Sequence, residues 1–333
     1  MNRLLFLLFV LMAAVGCSTD SYIIMTVNGP VPASEAGTFL THEHVLVDFA
    51  GADTIAYEKW DREKVIEKAL PFLKLAQEYG CKTFVECTPS FIGKDPLLLK
   101  SLSERTGMNI LTNTGFYGAS NDKYIPSFVY DESVQQIASR WISEWNNGID
   151  GSQVKPGFIK IGVAPGSLSD LHRKLITAAA ITHLNTGMVI ASHTGPGQPA
   201  FEQIEILKTE GVSPEAFIWV HAQTERDLAM HVKAARMGSW VSFDGLSDEN
   251  VDRYVELIKN MDENRVLNRV LLSHDAGWYD PQKEDGGKFR GYDTLFEKLL
   301  PALQKEGFTH NQIQLLLVKN PAEAFAIKIR NLE

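Results

Sequence analysis

The sequence is poor in cysteine, with three in 333 residues, so no disulfide framework holds it together. Cys81 and Cys87 flank one predicted strand six residues apart, facing the same way and too distant for a disulfide, and read as buried thiols. Basic charge is also short: 32 Lys and Arg against 41 Asp and Glu give a net charge of -9, which removes the electrostatic case for nucleic acid. No glycine-rich phosphate turn follows an early apolar run, which argues against a doubly wound nucleotide-binding sheet. There is no linker or low-complexity tract at which to divide residues 23–333.

One long apolar run is present, at the start. Met1-Asn-Arg3 is a short basic opening, Leu4 to Val15 an apolar stretch, and Ala14-Val15-Gly16-Cys17 a small-residue cleavage region. Residues 1–16 therefore read as a signal peptide, too short to span a bilayer stably. Cysteine directly after Gly16 resembles a bacterial lipobox, although Ala14 stands where leucine is usual. The reading is an exported protein lipidated on Cys17, with residues 17–22 as tether, anchored to the cell envelope; Ser18 is compatible with the outer membrane. Ordinary cleavage that leaves the protein free is the alternative.

From Ile23 a small hairpin is expected, because Asn28-Gly29 is a strong two-residue turn signal. Apolar β-branched runs then alternate with stretches of helical periodicity. The runs are 38–44, 83–87, 110–116, 158–163, 189–192, 217–221, 240–243 and 270–273; the helical stretches are 62–79, 132–146, 170–185, 201–210, 225–237 and 248–259. Gly80, Gly187, Gly211 and Gly238 stand just past four helices, as C-terminal stops would. Eight strands with helices between them predict an α/β fold, a single (β/α)₈ barrel carrying a short N-terminal hairpin.

Thr41-His42-Glu43-His44 lies in the first run. Side chains at i and i+2 of a strand share a face, so His42 and His44 project together while Glu43 points away. Alone, such a pair is more often an ordinary hydrogen-bonded one. Four further residues change the reading: Lys160, His193, His221 and Asp275 each fall in or at the end of a later strand. In a (β/α)₈ barrel these ends share one rim, where active sites sit. Two imidazoles side by side, two more nearby and a carboxylate suit a transition metal. His172, His183 and His231 fall in helical stretches and read as exposed or core-satisfied, His274 as a neighbour of the site, His310 as surface.

Thr41-His-Glu-His44, Phe158-Ile-Lys-Ile161, Ser192-His-Thr194, Val220-His221, Ser273-His-Asp-Ala-Gly-Trp278 and Phe289-Arg-Gly-Tyr292 together resemble the phosphotriesterase family of the amidohydrolase superfamily. The resemblance runs from Thr26 to Phe325. It implies that His42, His44 and Asp275 hold one divalent metal, that His193 and His221 hold a second, and that Lys160, carboxylated by carbon dioxide, bridges them. A carbamate is an anion on a long stem, and burial favours the free amine that captures carbon dioxide. Imidazole-rich sites suit Zn²⁺.

The implied reaction is hydrolysis of an ester or lactone carbonyl by a metal-bridging hydroxide, with Asp275 taking a proton, Tyr117 touching water or substrate, and residues 276–294 forming a mobile lid. The partner is a small ester or lactone, and a homodimer is left open. Two departures bear on substrate. Asp244 is followed by Gly245 where relatives often have histidine or arginine, and Thr224 stands where an acid is frequent. Competing readings are a phosphotriester hydrolase, a mononuclear deaminase-like enzyme, against which Lys160 argues, and a lipid-anchored binding protein without catalysis.

Overall fold

The computed structural model describes residues 22–332; Cys17, the signal segment and most of the tether lie outside the described residues. The chain begins with an antiparallel hairpin, β1 (Ile23–Thr26) and β2 (Gly29–Pro32). Thr26 pairs with Gly29, so the turn is Val27-Asn28, one residue earlier than the sequence suggests. The Thr26 hydroxyl sets it: Oγ1 donates to the Gly29 carbonyl at 2.7 Å and accepts from the Asn28 amide at 3.2 Å. Buried Ile24 packs with Phe39, Phe158 and Phe325 to floor the barrel.

Eight parallel strands follow in sequence order. They are β3 (Thr38–Glu43), β4 (Cys81–Glu86), a third broken at Thr112 into β5 (Asn109–Leu111) and β6 (Asn113–Thr114), β7 (Phe158–Gly162), β8 (Ile190–His193), β9 (Phe217–Val220), β10 (Trp240–Phe243) and β11 (Val270–Leu272). Each pairs in parallel with the next. Alternation sends Phe39, Val85, Leu111, Phe158, Val189, Ile218 and Leu271 into the barrel, and Leu40, Phe84, Ile110, Ile159, Ile190, Trp219 and Val241 outward against the helices. Both faces are buried, so the strands read as continuous apolar runs.

Side chains help close the seam between β11 and β3. Thr41 Oγ1 donates to the Leu272 carbonyl, and the His42 amide donates to Ser273 Oγ, both at 2.9 Å. Glu43, facing away from the histidine pair, is fully buried and accepts from Ser273 Oγ at 2.7 Å, His274 Nδ1 at 2.6 Å and the amides of His274 and Ala276 at 3.0 and 2.9 Å. The residue between the two histidines thus fastens the first strand to the last. His274 is a seam residue, with Nε2 accepting from the Leu295 amide.

The outer layer comprises α1 (Arg62–Glu78), α2 (Pro96–Thr106), α3 (Phe128–Asp131), α4 (Val134–Asn147), α5 (Asp170–Thr186), α6 (Gly197–Thr209), α7 (Leu228–Arg236) and α8 (Val251–Glu263). A C-terminal set follows: α9 (Leu300–Lys305), α10 (His310–Gln314) and α11 (Asn320–Phe325), with π turns before α9 and α11. All six expected helices form, and the four stop glycines have positive φ. Helix α2 was not expected, although its signals are local: Asp95 caps it, Pro96 opens it and Gly107 closes it at φ +74°.

One expectation needs correcting. Cys81 and Cys87 are free and buried, but Cys81 packs in the helix-facing layer and Cys87 inside the barrel. Thr38 pairs with Cys81 and Phe39 with Thr83, so a bulge at Lys82 reverses the facing of Cys81. Segment 276–294 is hydrogen-bonded to the loop after β3 and to the ends of neighbouring strands. Tyr279 N donates to Val45 O and Val47 N to Tyr279 O, Tyr292 Oη donates to His44 O, and Arg290 donates to the carbonyls of Leu246, His274 and Asp275.

Candidate metal centre

A cavity of about 140 Å³ opens at the C-terminal ends of the strands, and all six candidate ligands line it: His42, His44, Lys160, His193, His221 and Asp275. His42 lies in β3 and His44 one residue beyond it; Lys160 sits in β7, His193 ends β8, His221 follows β9 and Asp275 follows β11. His221 and Asp275 turn the chain with φ of +61° and +53°. Such left-handed residues carry strain of roughly 1–3 kcal/mol each and persist where the surroundings hold them. The amide of His221 is held by Asp244, that of Asp275 by the His42 carbonyl at 3.1 Å.

One group of donors is compact. His44 Nε2 stands 3.0 Å and His42 Nε2 3.7 Å from Asp275 Oδ1, and the three residues offer ligand atoms within 4.8 Å of one another, a spacing one cation can span. Beside it the rings of His193 and His221 lie 4.4 Å apart, and His42 is 5.1 Å from His221. This second pair has only two imidazoles. Lys160 is 2% exposed and forms no side-chain hydrogen bond or ion pair among the described residues, so the structure offers no salt-bridged strand lysine here. A carboxylated amine would complete the second group, and the donor chemistry fits two divalent ions with Lys160 shared between them.

Each ring's second nitrogen says how it is aimed. Nδ1 of His44 meets Thr88 Oγ1 at 2.8 Å, Nδ1 of His221 meets Asp244 Oδ1 at 2.7 Å, and Nδ1 of His42 lies 3.4 Å from Asp244 Oδ2. Binding Nδ1–H to an acceptor leaves the Nε2 lone pair for a ligand. Burial, reinforced by the Lys160 charge, lowers the His42 pKa to about 4, and burial beside His221 takes His193 well below the usual range. Both are therefore neutral, the ligating form. Burial lowers Lys160 too, toward the free amine. Burial alone would raise Asp275, but His44 and His42 hold it below the ordinary carboxylate range, so it is an anion.

Tyr117 lies edge-on to His193, ring centroids 4.9 Å apart. Gly162 makes room for it: a Cβ there would stand 2.7 Å from the Tyr117 ring. Burial raises the phenol, which stays protonated. Opposite the ligands, Val47, Phe49, Pro89, Ile92, Tyr124 and Trp278 form an apolar wall, with Ser120 and Cys87 also on the lining. Gly245 is tightly enclosed, since a Cβ would come 2.6 Å from Gln223 Nε2, and Thr224 turns its hydroxyl onto the His221 carbonyl. Neither supplies an acid or base to the cavity.

Sequence reasoning overlooked the site roles of Asp244 and Thr88. Asp244 ends the seventh apolar run at the same rim, which was the available signal; nothing local marks Thr88. His172, His183 and His231 are outside the site, each bonded to a carbonyl, and His310 is exposed.

The fold and rim define a (β/α)₈ barrel with histidines, an aspartate and a buried lysine gathered for divalent metal. The chain belongs to the Phosphotriesterase family, whose sequence profile matches residues 23–325. It is 28% identical to the phosphotriesterase homology protein of Escherichia coli over 293 residues, covering 87% of this chain and 98% of that protein. It is 26% identical to the aryldialkylphosphatase of Saccharolobus solfataricus over 308 residues, 89% and 97% of the two. A variant of a phosphotriesterase-like lactonase from Deinococcus radiodurans superposes with a TM-score of 0.81 at 26% identity, covering 91% and 99%. Relatives in this family carry the names of hydrolases, an aryldialkylphosphatase and a phosphotriesterase-like lactonase among them.

Proposed function

We propose that this protein is a binuclear metal-dependent hydrolase of uncharged carboxylic esters or lactones. The observation that carries the reading is the convergence of His42, His44 and Asp275 on one side and His193 and His221 on the other, with an unpaired buried Lys160 beside both. His42, His44 and Asp275 hold one metal, His193 and His221 the other, and carboxylated Lys160 is common to the two. Two divalent ions, Zn²⁺ by the imidazole-rich donor set, supply a water-derived nucleophile at neutral pH and polarise the carbonyl.

The chain's residues do the rest. Neutral His42 and His193 present lone pairs. Asp275, ionised and with Oδ1 facing His44, accepts a proton. Tyr117, protonated at working pH, offers a hydrogen bond at the edge of His193. Val47, Phe49, Ile92 and Trp278 exclude water and receive the apolar part of the substrate. Beyond the ligand set no cationic side chain among the described residues lines the cavity, which favours an uncharged group, and about 140 Å³ suits a short alkyl or aryl group. Phosphotriester hydrolysis is a weak side activity in this reading, because Gly245 and Thr224 leave no additional proton carrier.

From the leader and Cys17 we also propose that the enzyme is exported and held at the bacterial envelope by a lipid anchor; Cys17→Ser should move it from membranes to the soluble periplasmic fraction, and equal partition of both forms would refute the anchor. The catalytic reading is tested by metal content and a panel of lactones, aryl esters and phosphotriesters. Two equivalents and turnover led by esters or lactones are expected. Less than one equivalent after zinc reconstitution, or phosphotriesters as the best substrates, would overturn it.

A further inference from the structure

Asp244, the first residue after β10, is completely buried. No lysine or arginine pairs with it among the described residues. Its partners are Nδ1 of His221 at 2.7 Å, Nδ1 of His42 at 3.4 Å, the His221 amide at 3.1 Å and Nε2 of Gln223 at 3.2 Å. Gln223 also accepts from the Asp244 amide at 3.2 Å, fixing the carboxylate from the other side. A buried anion has to be met by donors, and leaving it short of one is strongly unfavourable. His221 meets it with Nδ1–H, and His42 turns its Nδ1 toward it at 3.4 Å. Each then turns Nε2 to the cavity.

What distinguishes Asp244 is that these two rings belong to different halves of the site. His42 stands with His44 and Asp275; His221 stands with His193. The other supports are private: Thr88 holds His44 alone, and His193 forms no side-chain hydrogen bond among the described residues. We propose that Asp244 is a positioning residue shared by the two half-sites, setting the tautomer and aim of one histidine ligand of each metal. The proposal rests on the binuclear reading above for its consequence, but its geometric claim concerns the metal-free protein.

The test uses two readouts, neither of them activity. Imidazole ¹⁵N shifts of the metal-free protein should show His42 and His221 as Nδ1–H tautomers. In Asp244→Asn, one amide oxygen cannot accept from both rings while the amide NH₂ faces the other. At least one of the two should shift toward Nε2–H.

Zinc titration against a chromophoric chelator, in bicarbonate buffer, should give two equivalents for the wild type. Both should be weakened about 10- to 100-fold in Asp244→Ala and Asp244→Asn. His193→Ala, which leaves Asp244 and its partners intact, should lose one equivalent and keep the other near wild-type affinity. If Asp244→Ala does not fold, the isosteric Asp244→Asn carries both readouts. Unchanged tautomers, wild-type binding of both equivalents, or weakening of one equivalent alone in the Asp244 variants would overturn the shared role. A wild type that takes up a single equivalent would overturn the binuclear reading, and the tautomer readout would then decide the role of Asp244 by itself.

Discussion

The molecule holds two populations of histidine. On the rim, His42, His44 and His221 have Nδ1 beside an acceptor and Nε2 toward a cavity. In the outer layer both ring nitrogens can be consumed by the protein itself. His183 Nδ1 donates to Met188 O at 2.7 Å and Nε2 accepts from the Arg330 amide at 2.9 Å; His172 joins Gly118 O to the Ser169 amide. His42 is buried like the outer-layer histidines, whereas His44, His193 and His221 are half-buried at the cavity. What sets the rim apart is what the second nitrogen faces: for His183 and His172 a backbone amide, for the rim a cavity lined by further candidate ligands and Asp275. A histidine bonded at both nitrogens is a cross-brace; several that face one another beside a carboxylate suit a cation.

The largest expected effect breaks the rim. Lys160→Met keeps the stem but cannot carry a carboxylate, so two cations would repel without a shared anion. Zinc content should drop from two equivalents to one or none and hydrolysis by at least about 100-fold, with folding intact by circular dichroism. Lys160→Glu should recover part of the metal and less of the activity. Wild-type metal content and rate in Lys160→Met would refute the carbamate bridge.

Next comes the seam. Glu43→Gln sets an amide NH₂ against N–H and O–H donors at a fully buried position, and should cost about 3 kcal/mol in urea unfolding. Because Glu43 faces away from the cavity, the refolded variant should still bind zinc at wild-type stoichiometry. A stability loss below about 0.5 kcal/mol would mean that the backbone alone holds the seam.

The outer layer is probed by pH. Burial lowers the folded-state pKa of His183 from 6.5 to about 4. Between those values the unfolded chain binds the proton and the folded one does not, so stability should rise with pH across that window and be lost as pH falls through it. The gap corresponds to about 3 kcal/mol. His183→Gln should be less stable at pH 7 yet show a flatter stability profile between pH 6.5 and 4, measured on metal-free protein. An unchanged slope would refute the assignment.

The smallest effect sharpens the comparison. Thr88→Val keeps the shape but removes the acceptor for His44 Nδ1–H. Zinc affinity at the site containing His44 should fall about 10-fold, near the lower end for a ligand's hydrogen-bonded support, and the other equivalent should be unaffected. Equal weakening of both would make Thr88 another shared support.

The sequence by itself determined the order of strands and helices, because hydrophobic period, capping residues and stop glycines act within a few residues of one another. It also determined which side chains could ligate, since a histidine, lysine or aspartate at a strand's end reaches the rim once the barrel closes. Tertiary structure decided what each of those groups meets. Glu43 and His274 are 231 residues apart, Asp244 and His221 are 23, and His44 and Thr88 are 44, and no local pattern encodes such partners. The same holds for Cys81, whose facing depends on a bulge against β3, and for segment 276–294, whose partners are Val45, Val47 and the His44 carbonyl. Local periodicity selects elements, whereas the partner of a buried polar atom is set by which distant strands the closure brings together.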